Sequence, residues 1–212
     1  DGLSRADSIT LDFHKLLWQP ISCGAFLVRD ATHFDLTATH ADYLNPESHV
    51  ADGIPDLVNR SVLTTRRFDA LKVWMTCRAL GRVQLAAYID ATCALAQEVA
   101  AAVRERDALE LVHAPDALTT VLFRFRVERH PEEDDAAFGA REDALNSRIH
   151  DDLFRRGVAV IGVTRVHART TLKLTLLNPL ATVAELTTIL DAVIASGRAL
   201  GGAPDALPHA GV

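Results

Sequence analysis

Lys15 is the side chain in this sequence with the clearest capacity for covalent chemistry. It follows His14 and precedes the large apolar residues Leu16, Leu17 and Trp18. An apolar setting disfavours the ammonium form of a lysine, so that the neutral amine becomes a nucleophile toward an aldehyde. Taken alone, the local sequence favours an ordinary surface lysine whose ammonium reaches solvent. Position 15 is therefore a candidate Schiff-base lysine whose assignment depends on the rest of the chain.

The lysine lies between two segments that are predicted to be strands. Residues 8–13 alternate between polar and apolar types, and residues 21–28 form a mainly apolar run that suits a buried strand. Residues 40–56 are polar and rich in helix-breaking residues, and this loop has the length typical of a lid or binding loop. Tyr43 lies in it.

The remaining chain is predicted to be mixed helix and strand. Helices are predicted at 67–80, 84–106, 138–156 and 182–200, and strands at 109–112, 119–127, 158–166 and 171–177, the last two as a possible hairpin. Gly81 and Gly157 stand where C-terminal helix caps are expected. Residues 182–185 (TVAE) form a capping box. The acidic residues 132–135 are predicted to lie in a solvated loop, and residues 202–212 to be a flexible tail.

Bulk composition narrows the class of protein. Of 212 residues, 49% are hydrophobic and 24% are charged, with a net charge of -6. These values are typical of a soluble globular protein and argue against nucleic acid or an anionic membrane as a partner. The three cysteines have no CxxC spacing and predict reduced thiols in a cytoplasmic protein. The histidines at 33, 40 and 49 lack the short spacing of a zinc site, so no metal is predicted.

Four blocks of sequence resemble the pyridoxal-phosphate-dependent decarboxylases of aromatic amino acids, glutamate and 2,4-diaminobutyrate. They are residues 6–15 (ADSITLDFHK), 22–25 (SCGA), 40–44 (HADYL) and 64–74 (TTRRFDALKVW), and a weaker match at 177–179 (LNP) extends the resemblance over almost the whole chain. Several ordered blocks form a specific signal, whereas a lone His-Lys pair would not. The diaminobutyrate branch is the most similar.

The resemblance implies that Lys15 binds pyridoxal 5'-phosphate as a Schiff base. His14 would hydrogen-bond the cofactor phosphate, with a structural core histidine as the alternative. Ser8 and Asp12 would lie near the phosphate end of the cofactor, and either could instead simply shape the turn.

Two further residues receive roles from the same resemblance. Tyr43 would protonate the substrate carbon after carbon dioxide leaves, from a loop that closes over the site and excludes water; packing of the loop is the alternative. Thr65 would contact the phosphate or substrate across a dimer interface. Lys173 stands where relatives of the glutamate type carry an arginine, and its role stays open.

The implied fold class is α/β. Residues 1–81 would be the C-terminal part of the large cofactor-binding domain of a fold-type-I pyridoxal-phosphate-dependent transferase. A linking helix at 82–106 would lead to a small α+β domain at 107–201, followed by the tail at 202–212. The aspartate and histidine that this family places against the cofactor ring lie upstream of the lysine segment. We therefore expect the chain to need the N-terminal half of the same enzyme, in a homodimer.

The implied activity is removal of the α-carboxylate from a small L-amino-acid substrate. L-2,4-Diaminobutyrate is the favoured substrate, with 1,3-diaminopropane as the product. The alternatives are a decarboxylase of another amino acid (aromatic, glutamate or aliphatic), a different pyridoxal-phosphate reaction, and a non-catalytic structural or dimerisation fragment.

Overall fold

A computed structural model describes residues 2–38, 43–46, 48–54, 57–60, 63, 65–113 and 118–201. The chain divides into two units, Asp1–Leu85 and Ala86–Val212. Within the described ranges, no helix combines the length and the apolar character needed to cross a membrane.

The first unit is built on an antiparallel ribbon of two strands. These are β1 (Ser8–Asp12) and β2 (Gly24–Val28), which pair from Ser8 opposite Val28 to Asp12 opposite Gly24. The first unit also contains short helices, which are 3-10 turns at Leu3–Arg5, Ala31–Thr37 and Leu57–Arg60, and α1 (Ser48–Ala51). The predicted loop at 40–56 thus contains one helical turn within its described part.

The prediction that β2 is a buried strand is wrong for this chain. Phe26 is 56% exposed and its neighbour Leu27 is 50% exposed. Successive side chains of a strand point to opposite faces, so the ribbon is open on both sides. A two-stranded ribbon has no second layer of its own to cover its faces, so within this chain the apolar run forms a strand without becoming buried.

The helix α2 (Ala70–Arg104) is interrupted at Gly81, whose φ of 74° and ψ of 168° are not helical. Positive φ carries little cost for glycine. The two predicted helices at 67–80 and 84–106 are therefore two segments that meet at the predicted cap. The first segment begins at Ala70 instead of Arg67, and the Arg67 side chain binds Asp69 at 2.7 Å just before the helix.

The second unit is a four-stranded antiparallel sheet with helices packed against it. The strands are β3 (Leu109–His113), β4 (Thr120–Phe125), β5 (Gly162–Val166) and β6 (Arg169–Thr175), in the order β3-β4-β6-β5. The predicted hairpin is confirmed, with Val166 opposite Arg169. Its helices are α3 (Asp135–Arg155), α4 (Val183–Gly201) and the end of α2. Fully buried side chains from these elements form the core: Val99, Val103, Val121, Phe123, Ile149, Leu172, Leu190 and Val193.

The start of α3 corrects the prediction of a solvated acidic loop. The helix begins three residues earlier than predicted because the Asp134 side chain accepts a hydrogen bond from Ala137 N at 2.8 Å. The side chain of Glu133 is 10% exposed and binds Arg141 at 2.6 Å. The acidic segment is thus a helix cap and an ion pair.

The end of α3 explains why β5 starts late. Gly157 has a φ of 65°, as its predicted capping role requires. The next two amides, Val158 N and Ala159 N, donate to Leu153 O at 3.0 and 3.5 Å. These residues close the helix and are unable to join the sheet, so the strand begins at Gly162 and not at residue 158.

Two close contacts position helices on β4. Asn146 of α3 is fully buried and hydrogen-bonds both backbone groups of Phe125. Gly197 of α4 lies against the Phe125 ring, so closely that a Cβ at position 197 would stand 2.6 Å from ring carbons. The sheet and both helices therefore meet at one aromatic residue.

Candidate cofactor-binding site

Lys15 lies in the connection between β1 and β2. Phe13 N donates to Cys23 O at 3.0 Å, which continues the strand pairing by one step. Gln19 N donates back to Phe13 O at 3.1 Å, and Trp18 N donates to Lys15 O at 3.0 Å. These bonds fold the connection into a closed loop with Lys15 in its first turn.

The first segment of α2 anchors this loop. Gln19 is buried, and its Nε2 donates to Thr76 Oγ1 at 2.9 Å. Lys72 Nζ donates to the carbonyl oxygens of Pro20 and Ser22, both at 3.2 Å. Sequence reasoning missed these anchoring residues, because Gln19 and Thr76 are 57 positions apart and no local pattern links them.

The side chain of Lys15 is 58% exposed, and its Nζ lies 2.5 Å from Asp12 Oδ2. The hydrogen bond from Lys15 and then its charge lower the pKa of the Asp12 carboxyl. The apolar setting predicted for this amine is therefore wrong for the chain as described.

Ser8 is at the other end of β1 from the lysine turn. Four residue steps of about 3.3 Å place it roughly 13 Å from Asp12. It lines a separate cavity of about 530 Å³ whose walls include Phe26 and Phe34. Lys15, His14 and Asp12 share one turn, and Ser8 does not belong to it in this chain.

Tyr43 and Thr65 come from other segments of the first unit. Tyr43 is 91% exposed, and Thr65 is exposed. Neither makes a hydrogen bond to the Lys15 turn within the described ranges. The predicted companions at 40, 42 and 64 lie outside those ranges. In the second unit, Lys173 is half-buried on β6. The roles of all these residues stay predictions.

The groups at the turn fit an aldehyde cofactor that carries a phosphate. Lys15 offers an exposed primary amine that can form a covalent bond with an aldehyde. His14 adds an imidazole able to donate to a phosphate oxygen. Asp12 suits a phosphate poorly, because a carboxylate with a lowered pKa stays anionic and cannot donate a hydrogen bond. Its contact with Lys15 favours the turn-shaping alternative.

Comparison with known proteins places this turn inside a matched domain. The sequence profile of the pyridoxal-dependent decarboxylase conserved domain matches residues 1–126. L-2,4-Diaminobutyrate decarboxylase of Rhizobium meliloti (strain 1021) is 46% identical over 200 residues, which are 94% of this chain and 39% of that protein. The protein of the same name from Acinetobacter baumannii is 42% identical over 198 residues, 93% of this chain and 37% of its own length.

Solved structures agree with this match. One solved structure matches this chain with a TM-score of 0.69 and 35% identity, over 92% of this chain and 35% of the other. It is the glutamate decarboxylase domain of diaminobutyrate-pyruvate transaminase and L-2,4-diaminobutyrate decarboxylase from Vibrio parahaemolyticus. Oryza sativa TDC with PLP and tryptamine has a TM-score of 0.82 and 27% identity, over 95% of this chain and 41% of that one. The predicted fold class is confirmed. The chain spans well under half the length of each of these relatives. Since the profile covers 126 of 212 residues, the chain belongs to the pyridoxal-dependent decarboxylase family.

Proposed function

We propose that the enzyme containing this chain is a pyridoxal-phosphate-dependent carboxy-lyase that removes the α-carboxylate of L-2,4-diaminobutyrate and releases 1,3-diaminopropane. The observation that carries the proposal is the identity of 46% and 42%, over more than nine-tenths of the chain, to two L-2,4-diaminobutyrate decarboxylases. By comparison, the aromatic-L-amino-acid decarboxylase of Bacillus atrophaeus is 28% identical over 190 residues.

The lysine turn would hold the cofactor. Pyridoxal phosphate, when bound, accepts the electron pair that stays on the α-carbon as the carboxylate leaves. Lys15 presents the amine for covalent attachment, and the anchoring of its loop by Gln19 and Lys72 keeps that amine in place. His14 donates to the phosphate, and Asp12 orients Lys15 through the contact at 2.5 Å.

Tyr43 would return a proton to the α-carbon. The carboxylate departs as carbon dioxide, so replacing it by hydrogen requires one proton, and a phenol can supply it. The 91% exposure of Tyr43 supports this role over the alternative in which the side chain anchors the loop by packing. Its exposure supports a loop that closes only when substrate is bound. Thr65 would reach the site of the neighbouring subunit.

Exposed apolar side chains support the proposal that this chain needs the N-terminal half of the same enzyme. On the ribbon and the first segment of α2, large apolar residues face solvent: Leu11, Phe26, Leu27, Leu71, Trp74 and Met75. Burying one such side chain contributes about 1.5–3 kcal/mol. The upstream half of the enzyme would cover these faces and supply the ring-binding groups, and two such chains would form the homodimer. Three cysteines without disulfides support a cytoplasmic protein.

Reductive labelling tests the cofactor site. The full-length protein should show visible absorbance from the lysine-linked cofactor, and borohydride should attach the cofactor to the peptide containing Lys15. A Lys15→Arg variant should lose both signals. Lys173→Arg, in the second unit, is the matched control and should keep them. Labelling of another peptide would refute the assignment.

Replacement of Tyr43 by Phe tests the proton donor. The variant should bind cofactor normally and lose amine formation by about 100-fold or more, the usual contribution of a general acid. The chain has one other tyrosine, and Tyr88→Phe serves as the control. Unchanged decarboxylation by Tyr43→Phe would refute this role.

A substrate panel tests the specificity. Carbon dioxide release should be fastest with L-2,4-diaminobutyrate and slower with L-glutamate, aromatic and aliphatic amino acids. Preference for an aromatic substrate would establish the first alternative. Absence of release from all of them, by a full-length protein that also fails to bind cofactor, would establish a structural role.

A further inference from the structure

The second unit contains a cleft of about 660 Å³ at the end of β4, between α3 and α4. Its volume lies within the range of small-molecule sites. The floor is apolar, formed by the buried Phe125 and Leu145. Gly197 and Gly201 line the α4 side. A side chain at 197 would collide with the floor, while among the described residues a Cβ at 201 would meet Leu145 Cδ2, at 3.7 Å. The lack of a side chain at 201 therefore leaves this part of the wall open.

Charged side chains of both signs surround the cleft without neutralising one another. Arg126 and Arg198 line it together with Asp107 and Glu128. Arg126 donates through Nε to a backbone carbonyl at 2.9 Å, which leaves its terminal nitrogens available. In the described part of the chain, the side chains of Arg198, Asp107 and Glu128 make no hydrogen bond or ion pair. A fifth charged residue, Arg141, also lines the cleft but is already bound to a glutamate.

This arrangement is complementary to a zwitterion with an apolar side chain. A guanidinium binds a carboxylate through charge-assisted hydrogen bonds, and a carboxylate binds an ammonium in the same way. A ligand carrying only a carboxylate would leave two acidic groups facing it. A ligand carrying only an amine would face two arginines. The buried aromatic and aliphatic floor adds contact with an apolar group.

We propose that this cleft is a second binding site, separate from the lysine turn, for a free L-α-amino acid with an apolar side chain. The ligand carboxylate binds Arg126 and Arg198, and its ammonium binds Asp107 and Glu128. The side chain rests on Phe125 and Leu145. This site does not depend on the proposed decarboxylation, because none of its residues belongs to the cofactor turn.

Calorimetric titration of the complete holoenzyme with L-leucine tests the site. The visible spectrum of the cofactor is followed in parallel, because an amino acid that enters the catalytic site perturbs that spectrum. Saturable binding of L-leucine without a spectral change is expected. Two analogues with one charge each, 4-methylpentanoate and 3-methylbutylamine, should bind at least about tenfold more weakly.

Variants locate the binding. Arg198→Gln and Glu128→Gln should each weaken L-leucine binding by about tenfold or more. Arg155→Gln, which changes another exposed arginine at the end of α3, is the control and should have no effect. Gly201→Leu should block the cleft, and the 3.7 Å spacing leaves room for its Cβ in the fold. No binding of L-leucine, equal binding of 4-methylpentanoate, or binding that survives all three cleft variants would overturn the proposal.

Discussion

Replacement of Asn146 by Ala should uncouple α3 from the end of β4. Asn146 is completely buried, and its Oδ1 accepts from Phe125 N at 2.8 Å. Its Nδ2 donates to Phe125 O at 3.1 Å and to Glu142 O at 3.0 Å. The pairing of β4 with β6 extends only to Phe123 opposite Leu172. The amide side chain therefore takes the place of a strand partner at Phe125.

The size of the destabilisation follows from the backbone groups that lose their hydrogen-bond partner. A buried backbone group left without a hydrogen bond costs about 1–3 kcal/mol, and Asn146→Ala leaves both the N–H and the C=O of Phe125 in that state. For the backbone N–H of Phe125 alone, a cost of this size makes the exchange of its hydrogen about 5 to 150 times faster. Together the two groups should lower the free energy of unfolding of this unit by about 2–6 kcal/mol.

Hydrogen–deuterium exchange of the complete enzyme checks this prediction at the amide itself. Exchange at Phe125 should accelerate in Asn146→Ala and stay unchanged in Ser147→Ala, because the neighbouring serine is exposed and bonds only within α3. Equal exchange at Phe125 in both variants would refute the view that the side chain acts as a strand partner.

Three further changes test the packing, the electrostatics and the capping of the second unit. Gly197→Ala should lower the free energy of unfolding by about 1–3 kcal/mol, because the new Cβ would stand 2.6 Å from the aromatic ring that the glycine covers. Arg141 lowers the pKa of Glu133 from 4.5 to about 2. A depressed carboxyl pKa stabilises the folded state above about pH 4.5 and loses that contribution as the pH falls toward about 2. Unfolding of Glu133→Gln should therefore depend less on pH in that window. Thr182→Ala should cost about 0.5–2 kcal/mol by removing the cap of α4.

Each of these changes has a control in denaturant unfolding of the complete enzyme. Gly201→Ala should be close to neutral, since its Cβ has ordinary contact distance. Glu132→Gln, beside the ion pair but exposed, should leave the acid dependence unchanged. Thr188→Ala lies within α4 and is exposed, so it should cost less than Thr182→Ala. A loss of unfolding free energy in Gly201→Ala as large as that in Gly197→Ala would contradict the packing argument. A pH dependence of unfolding that is unchanged in Glu133→Gln would contradict the electrostatic argument.

Local backbone features of the fold were predictable because they depend on neighbouring residues. The capping box is present, with Thr182 N donating to Glu185 Oε2 at 2.8 Å. Gly81 and Gly157 both adopt positive φ where a cap was predicted. The periodicity of the sequence predicted which segments are helices and which are strands. The ends of these elements shifted by a few residues where the end residues form a helix cap or a backbone hydrogen bond outside the element, as at residues 158–161.

For the candidate site, the sequence predicted which residues belong to it but not what surrounds them. The blocks around Lys15 and Tyr43 indicated the family, and the matched profile and relatives confirm that membership. The surroundings of Lys15 were not predictable. The neighbouring apolar residues suggested a desolvated amine, whereas within this chain the amine faces solvent and Asp12.

Only the tertiary structure decided which distant residues act together. Gln19 binds Thr76 across 57 positions and Asn146 binds Phe125 across 21, and neither pair has a sequence signature. The same holds for the cleft that gathers Arg126, from the segment following β4, with Arg198 of α4. Periodicity and capping patterns depend on interactions between residues that are close together in the sequence. Contacts between elements depend on how their side chains fit in space, and that fit exists only once the elements have packed.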